Sequence, residues 1–169
     1  DPSNPDTDGG GTSDGKEVAS GTNPIAPDDD HDGDPDGDGL KTGLEIKLGT
    51  SPTATDSDGD LINDFDETDG GKKVDSDGDG KIDALDGDSD GDGVSDKAEA
   101  GDSDLNTKPA DSDGNGIPDY RQKDADSDGL ADGDEAKYGT DRTKADTDGD
   151  GLGDGDEVGN GIDPLDRDS

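Results

Sequence analysis

Apolar residues are sparse in this chain, and a set of them recurs at one fixed place in a polar repeat. The repeat has the form Asp-x-Asp-x-Asp-Gly-apolar-x-Asp-x-x-Glu, and its clearest copy runs from Asp146 to Glu157. Position 7, directly after the glycine, is apolar in six copies: Leu40, Ile62, Val94, Ile117, Leu130 and Leu152. We expect these side chains to form a thin apolar seam between neighbouring loops.

Short segments after several copies predict brief helical turns. Residues 46–52 and 136–140 each place a glycine after a short mixed segment, and a threonine follows it. Glycine commonly ends a helix, and a residue before proline is extended. The pattern therefore predicts short helical turns, almost no sheet and mostly irregular backbone.

The repeat has an irregular period. Successive copies of this 12-residue loop begin 13 to 28 residues apart, and the chain 1–169 is interpreted as a single array of about eight loops. The predicted starts are Asp6, Asp34, Asp56, Asp75, Asp88, Asp111, Asp124 and Asp146. A half-loop at Asp28, Asp30 and Asp32 precedes the second loop. The clearest departures are Gly10 at position 5, Leu61 at position 6, Thr42 at position 9, and Asp86 and Gln122 at position 12.

Composition decides what can hold such a chain together. Only 20% of the residues are hydrophobic, and the net charge is −37. Burial of so little apolar surface cannot offset an ordering cost of roughly 1–2 kcal/mol per residue. The acidic excess argues against nucleic acid and against anionic membranes, and no apolar run is long enough to insert into a bilayer. The absence of cysteine excludes disulfides and thiolate metal sites.

The loop spacing matches the needs of calcium, which takes 6–8 oxygen ligands. Carboxylates at positions 1, 3 and 5 can converge on one ion, position 7 offers its backbone carbonyl, and position 12 closes the shell. The chain has 45 Asp and 6 Glu, and all six Glu fall at position 12. A coordination shell explains this placement because the longer Glu side chain reaches back across the loop, whereas an acidic spacer does not explain it.

The predicted cofactor is therefore Ca²⁺, in about eight or more copies. Position-7 residues are included for their backbone carbonyls. The predicted ligands, loop by loop, are Asp6, Asp8, Asp14 and Glu17; Asp28, Asp30 and Asp32 of the half-loop; Asp34, Asp36, Asp38, Leu40 and Glu45; Asp56, Asp58, Asp60, Ile62, Asp64 and Glu67; Asp75, Asp77, Asp79, Lys81, Asp83 and Asp86; Asp88, Asp90, Asp92, Val94, Asp96 and Glu99; Asp111, Asp113, Asn115, Ile117 and Asp119; Asp124, Asp126, Asp128, Leu130, Asp132 and Glu135; Asp146, Asp148, Asp150, Leu152, Asp154 and Glu157.

Tandem copies such as 124–135 and 146–157, with a Gly-Thr-x-Pro-like spacer, resemble the thrombospondin type-3 repeat. The cysteine-free form is similar to the version common in bacterial surface proteins. The resemblance implies irregular, calcium-wrapped loops without a conventional hydrophobic core. It also implies an extracellular or cell-surface setting and a role as a spacer or connector.

The leading interpretation is a calcium-stiffened structural segment outside the cytoplasm, with calcium ions as its partners. An alternative is an adhesive or filament-forming subunit. In this hypothesis, copies assemble head to tail, with Asp166 and Asp168 of one copy sharing calcium with Asp1 of the next, or the chain binds other surface proteins. A further alternative is an acidic mineral-binding chain with diffuse calcium binding. An enzyme is not expected, because the single histidine, His31, lies in an aspartate run and no apolar pocket desolvates a catalytic group.

Overall fold

The computed structural model describes residues 5–8, 12–20, 23–26 and 33–167. The half-loop at Asp28, Asp30 and Asp32 therefore lies outside the described residues, as do Gly10, His31, and the Asp1 and Asp168 of the head-to-tail hypothesis. The described chain contains the helices α1 Asp14–Ser20, α2 Thr42–Leu48, α3 Asp64–Glu67, α4 Asp96–Glu99, α5 Asp132–Tyr138 and α6 Asp154–Asn160, with 3₁₀ turns at Asp83–Leu85 and Asp119–Arg121.

No β-strand occurs among these residues, and the longest helix has seven residues. The predicted fold class, mostly irregular loops with short helical turns, is confirmed. The helices begin earlier than the sequence indicated, inside the loops instead of after them. Each helix or 3₁₀ turn starts at position 9 of a loop. Position 12 therefore lies in the first turn of each α-helix and directly after each 3₁₀ turn.

One backbone hydrogen bond recurs in all eight loops and closes each of them. The N–H of position 9 donates to the carbonyl of the residue just before position 1, as from Asp64 to Thr55 at 3.0 Å. The same bond joins Asp14 to Pro5, Thr42 to Gly33, Asp83 to Val74, Asp96 to Gly87, Asp119 to Ala110, Asp132 to Lys123, and Asp154 to Ala145. Each loop is therefore a closed ring of backbone before any metal is considered.

Glycines end three of the longer helices. Gly49, Gly139 and Gly161 follow α2, α5 and α6 with φ of 96°, 83° and 75°, a left-handed conformation that favours glycine. The amides of Gly49 and Gly139 donate to the carbonyls of Glu45 and Glu135. The predicted glycine stops in the segments 46–52 and 136–140 are thus present.

Within the described ranges, the apolar side chains form two small clusters instead of one seam. The first contains Leu40, Leu48, Ile82 and Ala84, and the second contains Ile62, Ala100 and Tyr120. Among the position-7 residues, Leu40, Ile62 and Leu130 are buried, whereas Ile117 and Leu152 are 48% and 41% exposed. The expected seam is therefore wrong for Ile117 and Leu152. In loop 6, Tyr120 and not Ile117 packs in the second cluster.

No helix in the described part of the chain is long and apolar enough to cross a membrane.

Candidate metal centres

Local hydrogen bonds hold the carboxylates of positions 1, 3 and 5 in a tight curl. In loop 2, Asp34 accepts from the amides of Gly37 at 2.8 Å and Gly39 at 3.2 Å, and Asp38 accepts from Leu40 at 2.7 Å. Each carboxylate keeps lone pairs for a further partner. Ligand-capable oxygens lie within 4.8 Å of one another in three such triads: Asp34, Asp36 and Asp38; Asp56, Asp58 and Asp60; Asp75, Asp77 and Asp79.

The turn at position 6 requires a positive φ, and loop 3 achieves it without glycine. Gly39 has φ of 105° in loop 2, and Leu61 adopts φ of 82° at the same place in loop 3. The Leu61 amide still donates to Asp56 at 3.1 Å, as Gly39 does to Asp34. The departure at Leu61 therefore leaves the curl intact, at a strain of roughly 1–2 kcal/mol.

The residue at position 7 lies against the carboxyl or amide group at position 5. The Ile62 amide donates to Asp60 at 2.8 Å, and the Leu152 amide donates to Asp150 at 2.9 Å. Leu40, Lys81, Val94, Ile117 and Leu130 donate in the same way. Position 7 is thus tied by its N–H to the position-5 group, although its side chain varies from Lys to Leu.

The glutamates at position 12 are buried, and most of their described carboxylate oxygens lack a hydrogen-bond donor. All six are at most 1% exposed. Neither carboxylate oxygen of Glu45, Glu67, Glu135 or Glu157 has a hydrogen-bond partner, and the same holds for Oε2 of Glu99. An unpaired buried carboxylate is costly, so these oxygens identify the place where a cation fits.

Burial and crowding by like charges raise the pKa values of these glutamates. The pKa of Glu67 rises to about 11, first through burial and then through repulsion by Asp60 and Asp58. The pKa values of Glu45 and Glu135 rise to about 8 for the same two reasons. Carboxylates this close cannot all ionise without a compensating charge. A bound divalent cation supplies that charge and satisfies the unpartnered oxygens.

Carboxylates from different loops also meet. Positions 5 and 12 of loop 2, Asp38 and Glu45, lie within ligand distance of Asp64, which is position 9 of loop 3. Positions 5 and 12 of loop 3 meet position 9 of loop 5 in the same way, through Asp60, Glu67 and Asp96. We call these two groups the 2/3 junction and the 3/5 junction. The sequence indicated ligands within each loop but not these contacts between loops.

The carboxylate at position 9 is held by position 2 of its own loop. Asp64 accepts from the Ser57 amide at 2.8 Å and from the Ser57 hydroxyl at 2.6 Å. The same pair of bonds is made by Thr7, Ser76, Ser89, Ser112 and Thr147 to Asp14, Asp83, Asp96, Asp119 and Asp154, and Ala125 makes the amide bond alone to Asp132.

The sequence carried a signal for this contact that the ligand pattern did not use. Six of the eight loops have Ser or Thr at position 2. Loop 2 has Pro35, which lacks an N–H, and it is also the loop whose position 9 is Thr42 in place of Asp. The two positions depart together because each is the other's hydrogen-bond partner.

Loop 6 pairs the polar side chains at its own ligand positions. The Asn115 side-chain amide donates to Asp113 and to Gln122, both at 2.8 Å, and thereby joins positions 3, 5 and 12. The Ser127 hydroxyl donates to Asp113 at 2.5 Å. In this loop, all of which is described, no ligand-position oxygen is both buried and unpartnered. Loop 4 is similar, and its Asp86 pairs with Lys81 at 3.3 Å.

Arg121 attaches loop 6 to loops 3 and 4. Its guanidinium donates to Asp83 at 2.8 Å, to Asp69 at 3.0 Å and to the Glu67 carbonyl at 2.5 Å. Because the last contact lies at the C-terminal end of α3, it also satisfies a carbonyl that the helix leaves open. Neither Arg121 nor Tyr120 was singled out by the sequence pattern, since the residue type at positions 10 and 11 varies from loop to loop.

The fold and these sites define a repeat protein of closed acidic loops with the donor set of a hard divalent cation. Five stretches, residues 6–27, 34–54, 88–100, 124–145 and 146–167, match the family model described as the bacterial TSP3 repeat. They cover more than half of the chain, and the chain therefore belongs to this family of calcium-binding structural repeats. The predicted resemblance is confirmed. No curated protein and no solved structure matches the chain.

The matched stretches coincide with loops 1, 2, 5, 7 and 8. Loops 3, 4 and 6 fall between them, and these loops carry the departures at Leu61, Asp86 and Gln122. Loop 3 nonetheless keeps the curl and the buried Glu67, whereas loops 4 and 6 do not bury a glutamate.

Proposed function

We propose that the chain is an extracellular or cell-surface spacer whose loops are folded and stiffened by bound calcium. The observation that carries the proposal is the set of buried position-12 glutamates with unpartnered oxygens in loops 2, 3, 5, 7 and 8, each beside the carboxylates of positions 3 and 5. In the calcium-free chain, the net charge of −37 opposes keeping these groups together.

The proposed ligands are those named from the sequence, and six of the loops have the strongest support, in two groups. Loops 2, 3, 5, 7 and 8 have three aspartates and a buried glutamate each, and they are the proposed principal sites. Loop 1 keeps Asp6, Asp8 and a buried Glu17, and it is proposed as a site with fewer carboxylates. The position-9 aspartates are proposed to bind calcium between loops, because the residue at position 2 of the same loop already holds each of them by hydrogen bonds.

Calcium binding and folding are proposed to be one process. The ligands of a loop come together only when the loop is closed, so the free energy of binding becomes free energy of folding. Individual affinities near 10⁻⁴–10⁻³ M, as in extracellular modules, would leave the sites empty in a resting cytosol and filled outside the cell.

Calorimetric titration with calcium, followed in parallel by circular dichroism, tests the proposal. We expect several ions per chain and a helical signal that rises with occupancy. Glu157→Ala removes a buried ligand and Asp156→Ala an exposed neighbour, so only the first is expected to lower the number of bound ions. Equal loss in both variants, or binding without structural change, would contradict the proposal.

Sedimentation of the same samples separates a spacer from an assembling subunit. A spacer is expected to remain monomeric in millimolar calcium. If the sedimenting particle becomes larger when calcium is added, the spacer role is wrong and the adhesive or filament-forming role is supported.

A further inference from the structure

One inter-loop junction contains a cation that the chain itself supplies. Asp92 and Glu99, positions 5 and 12 of loop 5, and Asp132, position 9 of loop 7, correspond to Asp60, Glu67 and Asp96 of the 3/5 junction. We call them the 5/7 junction. Arg142 places Nη1 3.3 Å from Oε1 of Glu99 and 3.9 Å from Oδ2 of Asp132. Its Nη2 donates to the carbonyl of Ala98.

The glutamates of the three junctions differ in how many of their oxygens lack a hydrogen-bond partner. Both oxygens of Glu45 and of Glu67 lack a partner, whereas in Glu99 only Oε2 does. Oε1 of Glu99 is the oxygen that Arg142 reaches. The carboxylates are equally buried, since Glu99 and Asp132 are at most 2% exposed, as are Glu67 and Asp96. The position-9 groups differ, because Oδ2 of Asp132 has no hydrogen-bond partner and both oxygens of Asp96 accept from Ser89.

A guanidinium suits this position because it stays charged and presents several donors in a planar fork, which can serve two carboxylates and a carbonyl together. A divalent cation bound between the same two carboxylates would lie next to that fixed positive charge and be repelled by it. The arginine and the metal ion are therefore alternatives at this junction.

We infer that Arg142 replaces a divalent cation at the 5/7 junction, which consequently closes without calcium. This inference rests on the proposed function, because it assumes that the junctions lacking an arginine take calcium. Loop 5 retains Asp88, Asp90, Asp92 and Oε2 of Glu99 for an ion of its own. The array would then contain a calcium-independent link between loops 5 and 7, in addition to the contacts that Arg121 makes between loop 6 and loops 3 and 4.

The first test counts calcium ions on the full chain by native mass spectrometry at saturating calcium. Arg142→Gln is expected to bind one ion more than the wild type, and Arg142→Lys the wild-type number because the charge remains. Lys144→Gln is the matched control, since Lys144 pairs with Asp141, which is not a proposed ligand. It removes the same charge and is expected to leave the count unchanged.

The second test uses only the wild-type protein and therefore does not depend on whether a variant folds. The Gly133 amide donates to Asp92 at 3.0 Å across the 5/7 junction, and the Gly155 amide donates to Asp128 at 2.8 Å between loops 7 and 8, where the Glu135 oxygens have no partner. Hydrogen exchange of the wild type in excess EDTA is expected to be at least tenfold slower at Gly133 than at Gly155.

The outcomes separate this inference from the proposed function. A wild type that binds calcium, with an unchanged count in Arg142→Gln or equal exchange at the two glycines, overturns the role of Arg142 alone. A wild type that binds no calcium overturns both.

Discussion

Loops 6 and 7 follow each other in the chain and share the same 12-residue pattern. They differ in how the side chains at positions 5 and 12 find partners. Loop 7 buries Glu135 with both oxygens unpartnered, beside Asp126 and Asp128. Loop 6 carries Gln122 and Asn115 at the corresponding positions 12 and 5, and their amides bond to each other. Two substitutions of a carboxylate by its amide thus convert a loop that needs an external cation into one that supplies its own donors.

The comparison shows which part of the motif determines folding and which part determines metal dependence. Both loops are closed by the same backbone bond from position 9, at 2.8 Å from Asp119 and at 3.0 Å from Asp132. Both also have the positive φ at position 6, in Gly116 and Gly129. The curl is therefore common to both loops, and the demand for calcium comes from positions 5 and 12.

The largest expected effect comes from exchanging these groups. Glu135→Gln is expected to lower calcium affinity at loop 7 by more than about 100-fold, because loss of even a supporting partner costs about 10–100-fold. The double change Asn115→Asp and Gln122→Glu is expected to add one bound ion at loop 6. Calorimetric titration of both variants measures the calcium affinity and the number of bound ions. If both variants bind calcium as the wild type does, positions 5 and 12 do not determine the calcium dependence of the two loops.

The pH dependence of the two loops is expected to differ in sign when calcium is chelated. Burial, followed by repulsion from Asp126, raises the pKa of Glu135 to about 8. Its protonated form therefore favours the folded loop below about pH 4.5, and this stability is lost as the pH rises through about 8. Hydrogen bonds from Ser127 and Asn115 lower the pKa of Asp113 in loop 6, so that its contribution is present above about pH 4 and is lost only in stronger acid.

Protection factors of the Leu130 and Ile117 amides, measured in EDTA between pH 4 and 8, report on loops 7 and 6. We expect protection at Leu130 to fall over this range while protection at Ile117 holds. A parallel decline at both amides would show that the two loops respond to the same charges.

A smaller effect is expected at position 10, which also distinguishes the loops. Loop 6 uses Tyr120 there to fill a cluster, whereas Gly155 of loop 8 lets its backbone approach loop 7. A Cβ at Gly155 would lie 2.6 Å from the Asp128 carbonyl oxygen, while one at Gly159 of the same helix would meet nothing within 4 Å. Gly155→Ala is expected to cost about 1–3 kcal/mol, and Gly159→Ala to stabilise α6 by about 0.5–1 kcal/mol.

Thermal unfolding in saturating calcium measures both substitutions. If the two variants unfold at the same temperature, the close approach of loop 8 to loop 7 does not contribute to stability.

The smallest effect is expected from the brace at position 2. Ser112→Ala removes one hydroxyl bond to Asp119 and is expected to cost about 1 kcal/mol. Loop 7 already has Ala125 at this place and keeps only the amide bond. Ser95→Ala is the control, because the Ser95 side chain makes no capping bond. Equal unfolding temperatures for the two variants would assign no stabilising role to the brace.

The loop frame could be predicted from the sequence because its requirements are local. Asp at positions 1, 3 and 5 and glycine at position 6 act within a few residues, so spacing alone indicates the curl. The brace between Ser57 and Asp64 is also local, and the frequency of Ser and Thr at position 2 was a signal for it.

Contacts between loops could not be predicted in the same way. The meeting of Glu67 with Asp96, and of Glu99 with Arg142, depends on how loops distant in sequence pack together. The apolar residues carry too little pattern to specify that packing, and the expected seam failed for this reason. The half-loop at Asp28, Asp30 and Asp32 stays a prediction, since it lies outside the described residues.

The central claim is that calcium, bound by the buried glutamates, holds the loops together. Small-angle scattering of the full chain in millimolar calcium and in excess EDTA at pH 7.5 tests it most directly. We predict a compact particle in calcium and a reversible increase in the radius of gyration on chelation, towards the value of about 43 Å for an unfolded chain of this length. An unchanged radius of gyration in EDTA would contradict the account.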